Sequence, residues 1–234
     1  MSTRFEGEHP VYYTRERWAL LERKRGEALR IMEALRALHA TVITHGSIAR
    51  GDVDEDSDVD IVVLEPLPPS MLEIHLERSG FKVASKELVQ ATPSYTPKVY
   101  FYLDYREERV VSLPLARLKP REREFYKWGG EIDYSGLKGK ARVPGVNKNL
   151  RMVLPTSFGH IEYPIEGREH EAARVLGISI ETVMERVRVL TRRRELGRTG
   201  VFVKIEIDPE TPVEEVVKRL KRENPAFRRQ VQSW

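Results

Sequence analysis

The chain has 234 residues, 40% of them apolar and 32% charged, enough of the first for a core and enough of the second to keep that core in solution. Lys and Arg number 40 against 36 Asp and Glu, a net charge of +4, and the absence of cysteine excludes disulfides, thiolate metal sites and cysteine nucleophiles. No run approaches the roughly 18 apolar residues of a membrane-spanning helix, and the start MSTRFEGEHP lacks the apolar core of a secretory signal, so a cytoplasmic protein that does not engage membranes is expected.

From Arg15 to His39 the apolar residues Trp18, Leu21, Ile31, Leu35 and Leu38 recur at near-helical spacing, which predicts a helix with a break at Gly26. Thr41 to Thr44 is a β-branched run ended by His45-Gly46-Ser47, the pattern of a buried strand entering a tight turn. Val59 to Leu64 predicts a neighbouring strand, stopped by Pro66, Pro68 and Pro69, with Ser70 as cap of a helix reaching Arg78 and ending at Gly80. Lys98–Tyr105 and Arg109–Leu115 read as a hairpin across Arg106-Glu107-Glu108.

Residues 119–128 predict a charged helix, and the stretch from Trp128 through Gly145, rich in glycine and bases, reads equally as a linker or a phosphate-contacting loop. The pattern is helical again from Arg168 to Gly197, strand-like over Val201–Ile207 and helical over Pro212–Arg222. Three regions are therefore expected: a domain over 1–118, a basic connecting region over 119–167 and a third region over 168–234.

The charges are unevenly placed. Residues 50–65 hold seven acids and one Arg, whereas Lys138 to Arg151 holds five bases and no acid. Concentrated carboxylates repel one another unless a cation sits between them, so the acidic stretch points to metal; the basic one (Lys138, Lys140, Arg142, Lys148, Arg151) fits phosphate contacts or a solvated loop. In a strand, residues two apart share a face, so Asp58 and Asp60 project together while Val59 and Ile61 face the core. Paired carboxylates suit Mg²⁺. Asp52, Asp54 and Asp56 read as plain acidic loop, and His160 and His170 as ordinary polar residues.

Gly46-Ser47, a spacer of ten residues, then Asp58-Val59-Asp60-Ile61, with Gly51 and Ser57 inside the spacer, resembles the signature of the DNA polymerase beta-like nucleotidyltransferase superfamily in its archaeal, minimal-type form. The likeness extends over roughly residues 15–115, and His45 departs from the hydrophobic residue usual there. It implies a mixed α/β (α+β) sheet with flanking helices, and NMP transfer from an NTP, ATP foremost, to an acceptor hydroxyl with pyrophosphate release. It also implies two Mg²⁺ ions, or Mn²⁺ in their place, on Asp58 and Asp60. Gly46 and Ser47 would receive the phosphates, and a third carboxylate, for which Asp104 is the candidate, would complete the metal site; the alternative for Asp104 is a solvated residue that begins the hairpin turn. The acceptor, whether RNA, DNA or protein, is left open. The competing reading is a non-catalytic nucleotide sensor that regulates by binding nucleic acid.

A second signal runs from Glu171 to Val187 and is similar to the helix-turn-helix of sigma-factor-like DNA-binding domains. Ala173 would lie at the helix crossing, Gly177 in the turn, Ser179 at the cap and Val183 in the core. Arg186, Arg188, Arg192, Arg193 and Arg194 would give a nucleic-acid-binding face, and Gly197–Gly200 a wing, making the C-terminal region a winged helix-turn-helix-like domain. A helical hairpin with a solvated basic face fits the same residues.

Overall fold

The computed structural model describes residues 7–197 and 200–231. In chain order these form β1 (His9–Tyr12), α1 (Arg15–Ala34), β2 (Val42–His45), α2 (Ser47–Arg50), β3 (Val59–Val63), α3 (Pro69–Arg78), β4 (Ser85–Gln90), β5 (Lys98–Tyr102) and β6 (Arg109–Pro114). Then come α4 (Pro120–Gly129), β7 (Glu131–Asp133), α5 (Tyr134–Lys138), β8 (Gly145–Val146), β9 (Arg151–Thr156), β10 (Gly159–Pro164), α6 (Glu169–Leu176), α7 (Ile180–Leu196), β11 (Val203–Ile207), α8 (Val213–Glu223) and α9 (Pro225–Gln230). They make two compact units, each built from three stretches: Met1–Gly26, Thr44–Ser57 and Pro120–Thr199 in the first, Glu27–Ile43, Asp58–Lys119 and Gly200–Trp234 in the second.

In the second unit the strand order is β11-β4-β5-β6-β3-β2. β3 runs parallel to β6, with Asp60 opposite Val110 and Val62 opposite Ser112. The β6–β5, β5–β4 and β4–β11 pairs are antiparallel. Alternation sends Ile61, Val63, Phe101, Val99, Val111, Leu113 and Leu88 into the core, all inaccessible to solvent. Helix α8 offers Val213, Val216, Val217 and Leu220 at helical spacing and packs near α3, which buries Leu72 and Leu76. Burying each such side chain is worth about 1.5–3 kcal/mol.

The first unit carries a four-stranded sheet, β1-β10-β9-β8, all antiparallel. Met152, Tyr163 and Val146 of this sheet form one core with Trp128 of α4, Ala172 of α6 and Val183 and Leu190 of α7. Strand β2 begins in the second unit and ends in the first, at Thr44 and His45, next to β7.

Several expectations change. Helix α1 passes unbroken through Gly26, whose missing side chain faces open space. Helix α3 starts at Pro69 rather than after Ser70, because proline's fixed φ and absent N–H suit the first helical position; the Ser70 amide instead donates to Glu214 at 2.9 Å. The region 119–167 holds two helices and four strands. The C-terminal stretch divides: α6 and α7 belong to the first unit, whereas β11 covers the edge of β4 in the second, where Ile207 and Val203 are buried. Of the expected wing, Gly197–Gly200, Arg198 and Thr199 lie outside the described residues.

Candidate active site

Asp60 is the second residue of β3 and half-buried, and Asp58 precedes the strand and is exposed. Strand alternation puts both on the face opposite Ile61 and Val63. The registers extend this face to Val110 and Ser112 on β6, Tyr102 and Tyr100 on β5 and Ser85 and Glu87 on β4. Burial pushes the Tyr102 hydroxyl pKa above its ordinary value; the negative charges of Glu87, Glu107 and Asp60 add to the rise.

Gly46 lies at the end of β2 with φ 74° and ψ −142°, open to glycine but strained for any L side chain. Its amide donates to Gly130 O at 2.9 Å, and Ser47 opens the short helix α2. A Cβ on Gly46 would meet nothing within 4 Å, so the backbone there is open to an approaching group.

The spacer from Ile48 to Ser57 is held by α1, a role the sequence reading did not foresee. Arg25 donates to Ile48 O at 2.9 Å and Ala49 O at 3.1 Å, Arg17 to Val53 O at 3.2 Å, and Lys24 to Glu55 O at 3.0 Å and Ser57 O at 2.5 Å. These cations, seven and eight residues apart, occupy one side of the helix. Burial lowers the Arg25 guanidinium pKa to about 10. The only available signal was that spacing, which charged helix faces share with ordinary solvated ones.

Asp52 does more than line an acidic loop: it forms a buried ion pair with Arg50 at 3.0 Å, and Arg50 also donates to Gly129 O at 2.6 Å. Asp54 and Ser57 close the loop on each other, Ser57 Oγ donating to Asp54 Oδ1 at 2.7 Å. Gly51 has φ 93°, and a Cβ there would stand 2.4 Å from Arg142 Cδ, so the spacer glycine makes room for the arginine.

Asp104 is not inside a strand. β5 ends at Tyr102, and Asp104 organises the turn into β6: Oδ1 accepts from the Arg106 and Glu108 amides at 3.0 and 3.1 Å, Oδ2 from the Arg109 amide and Nε at 3.0 Å each. Desolvation alone would raise its pKa, but the amide and guanidinium donors outweigh it and hold the carboxyl below the usual range. A different acid, Glu108, lies next to Asp58 along the backbone. Val59 N donates to Glu108 O at 2.7 Å and Val59 sits opposite Arg109, so the parallel ladder sets Glu108 level with Asp58. Glu108 is exposed, its carboxylate 3.9 Å from Arg106. Sequence reading passed over it as loop.

Among the described residues no group of three or more His, Asp or Glu is already gathered for a metal ion. Two hard carboxylates nevertheless fit Mg²⁺, which is commonly held by one or two carboxylates and completes its shell with substrate phosphates and water.

The helical hairpin of α6 and α7 is present, with Gly177 ending α6 and Ser179 Oγ accepting from the Thr182 amide at 3.3 Å. Val183 and Ala172 lie in its core, and Ala173 packs at the margin. The start of α7 is tied to α4: Glu124 accepts from the Ser179 amide at 3.1 Å, from its hydroxyl at 2.5 Å and from the Thr182 hydroxyl. Arg186 stacks over Phe125 at 4.8 Å and Arg194 pairs with Glu166 at 3.2 Å, while Arg188, Arg192 and Arg193 are exposed. Of the bases between 138 and 151, Arg142 donates to Gly159 O and Thr156 O, Arg151 pairs with Glu162 at 2.9 Å, Lys140 pairs with Glu22 at 3.0 Å and Lys138 lies over Tyr134. His160 is buried, its Nδ1 2.7 Å from the Tyr13 hydroxyl.

Residues 26–114 match the family model described as "Nucleotidyltransferase domain", a span that holds Gly46, Ser47, Asp58, Asp60, Asp104 and Glu108. No curated protein matches the chain. Among solved structures it is similar to one described as "Structure and function of the polymerase core of TRAMP, a RNA surveillance complex", with 19% identity and a TM-score of 0.31, over 50% of this chain and 38% of that one. The match of residues to the domain family, rather than this likeness of shape, bears on function.

Proposed function

We propose that the chain is a metal-dependent nucleotidyltransferase that moves NMP from an NTP, ATP foremost, to an acceptor hydroxyl and releases pyrophosphate. The observation that carries the reading is the pair Asp58 and Asp60 at the head of β3, inside the span matched by the nucleotidyltransferase family. In this reading Asp58 and Asp60 hold Mg²⁺ or Mn²⁺, with Glu108 the next carboxylate along the ladder. The open backbone at Gly46 and the Ser47 hydroxyl receive phosphate oxygens. Two bound metal ions would neutralise the triphosphate and activate the acceptor oxygen. The acceptor oxygen bonds to the α-phosphorus as the α–β phosphoanhydride breaks, and the acceptor proton passes to a carboxylate or to water. Asp104 serves the site indirectly, by fixing the turn that delivers Glu108 and Arg109 to β6.

The latch from α1 lies within the first unit and fixes the carbonyls of Ile48, Ala49, Val53, Glu55 and Ser57, in the stretch that follows Gly46 and Ser47. The test is pyrophosphate release from each NTP with a mixture of RNA, protein and small-molecule hydroxyls as acceptors. Release that requires Mg²⁺ or Mn²⁺ and stops on chelation is expected; no release with any NTP and acceptor would contradict the reading.

A further inference from the structure

We propose that the row of half-exposed residues on β5 is the seat of a single-stranded nucleic-acid acceptor, with bases stacked on Tyr102 and Tyr100 and the backbone led past Lys98. The inference rests on the nucleotidyltransferase reading and narrows its acceptor. Three observations, all within the second unit, support it.

The first is a row. Along β5 the residues on Asp60's face are Tyr102, Tyr100 and Lys98, opposite Val110, Ser112 and Pro114 on β6, and Asp60 is itself opposite Val110. The row therefore begins two strands from Asp60, roughly 10 Å at the usual strand spacing, and leads away from it. Each step covers two residues, about 6.7 Å. That is twice the rise of about 3.4 Å per nucleotide in a stacked strand, so the row suits an extended strand whose bases have left one another for the rings.

The second is exposure. Val99 and Phe101, which alternate with the tyrosines, are wholly buried, whereas Tyr100, Tyr102 and Lys98 are half-exposed. The acid flanking the row on β4, Glu87, is matched by Lys204 of β11 at 2.9 Å, which lowers the electrostatic cost of a phosphate passing nearby.

The third is where the row leads. Lys119 donates to Ser94 O, in the loop before β5, and to Gln230 Oε1 at 3.0 Å, which brings the end of α9 to the Lys98 end of the row. α9 carries the exposed Arg228 and Arg229, for which no ion pair is found among the described residues. Both arginines adjoin Gln230 in the chain, so the end of α9 brings positive charge to the loop before β5.

The experiment is fluorescence anisotropy of 5′-fluorescein oligoadenylate with the full chain, its Tyr100→Ala, Tyr102→Ala, Tyr100→Phe and Tyr102→Phe variants, and Asp58→Ala/Asp60→Ala. Circular dichroism melts accompany every variant. Expected is binding that weakens as salt rises, a loss of about tenfold for each Ala variant and retention within about twofold for each Phe variant and for the aspartate variant. Wild-type protein that does not bind the oligonucleotide would overturn the proposal. So would folded Ala variants that bind like wild type, or Phe variants as weak as Ala, which would assign the effect to the hydroxyls. Binding of this kind without nucleotide transfer would sink the enzymatic reading alone. Transfer confined to protein or small-molecule hydroxyls would sink this inference alone.

Discussion

Asp104 shows how little separates a metal ligand from a turn residue in a sequence. An acid after the apolar run Val99-Tyr100-Phe101-Tyr102-Leu103 demands partners, and sequence cannot say whether those are metal ions or the amides of the next turn. Here they are three amides and one guanidinium. Asp104→Asn puts an amide donor against at least one of those donors, so a loss of about 1–3 kcal/mol in urea unfolding is expected. Because the folded carboxyl is held below its ordinary value of 3.8, its contribution is complete above that value and lost as pH falls beneath it. Melts of wild type should therefore show a steeper decline below pH 4 than those of Asp104→Asn. Equal acid limbs would contradict the role. Gly46 makes a complementary case, since its sequence neighbours already marked a strand-to-turn junction. Gly46→Ala meets no atom but forces an L residue to φ 74°, so about 1–3 kcal/mol of stability should be lost through backbone strain alone. Unchanged denaturation midpoints would show that the backbone relaxes.

Among the elements, those with apolar alternation were legible and those with polar inward positions were not. β3, β5 and β6 carry Val, Ile, Phe and Leu inward, and the sequence predicts all three. β4 was missed because its inward residues are Lys86, Leu88 and Gln90, and period-two reading depends on the inward residues being apolar. Lys86 is nonetheless buried, 3.1 Å from Glu73 on α3 and donating to Thr211 O at 2.8 Å. Removing the carboxylate alone leaves a cation in the core, so Glu73→Ala should cost about 3 kcal/mol. The paired exchange Glu73→Leu with Lys86→Met should recover most of that loss in thermal or urea unfolding. A single variant as stable as wild type would mean that Lys86 finds water or another partner. The same limit hid the latch of Arg17, Lys24 and Arg25, since bases on a helix are usually solvated and only the fold shows which carbonyls they reach. The α6–α7 hairpin was readable down to its cap. That Glu124 of α4 would join Ser179 there was not, because the two lie 55 residues apart.

At the scale of the whole molecule, the sequence suggested three consecutive regions, but the chain builds two units from interleaved stretches. Consecutive segmentation is the natural reading of Gly-rich and Pro-rich boundaries, and it fails where a strand late in the chain completes an early sheet. β11 does this by pairing with β4 in register, Val203 opposite Gln90 and Ile207 opposite Lys86. The motif itself is divided by the same boundary, Gly46 to Ser57 falling in the first unit and Asp58 and Asp60 in the second. The motif could be read from sequence because the ten-residue spacer between Gly46-Ser47 and Asp58-Val59-Asp60 is local in the chain, whereas strand order is not.

We propose that Asp58 and Asp60 hold the metal on which nucleotidyl transfer by this chain depends. This is tested most directly by incubating wild type and Asp58→Ala/Asp60→Ala with each α-³²P-labelled NTP, Mg²⁺ and RNA, protein or no acceptor. Acceptor labelling by wild type alone is expected, with the variant folded by circular dichroism. Equal labelling by the two proteins, or none by wild type with any acceptor, would contradict it.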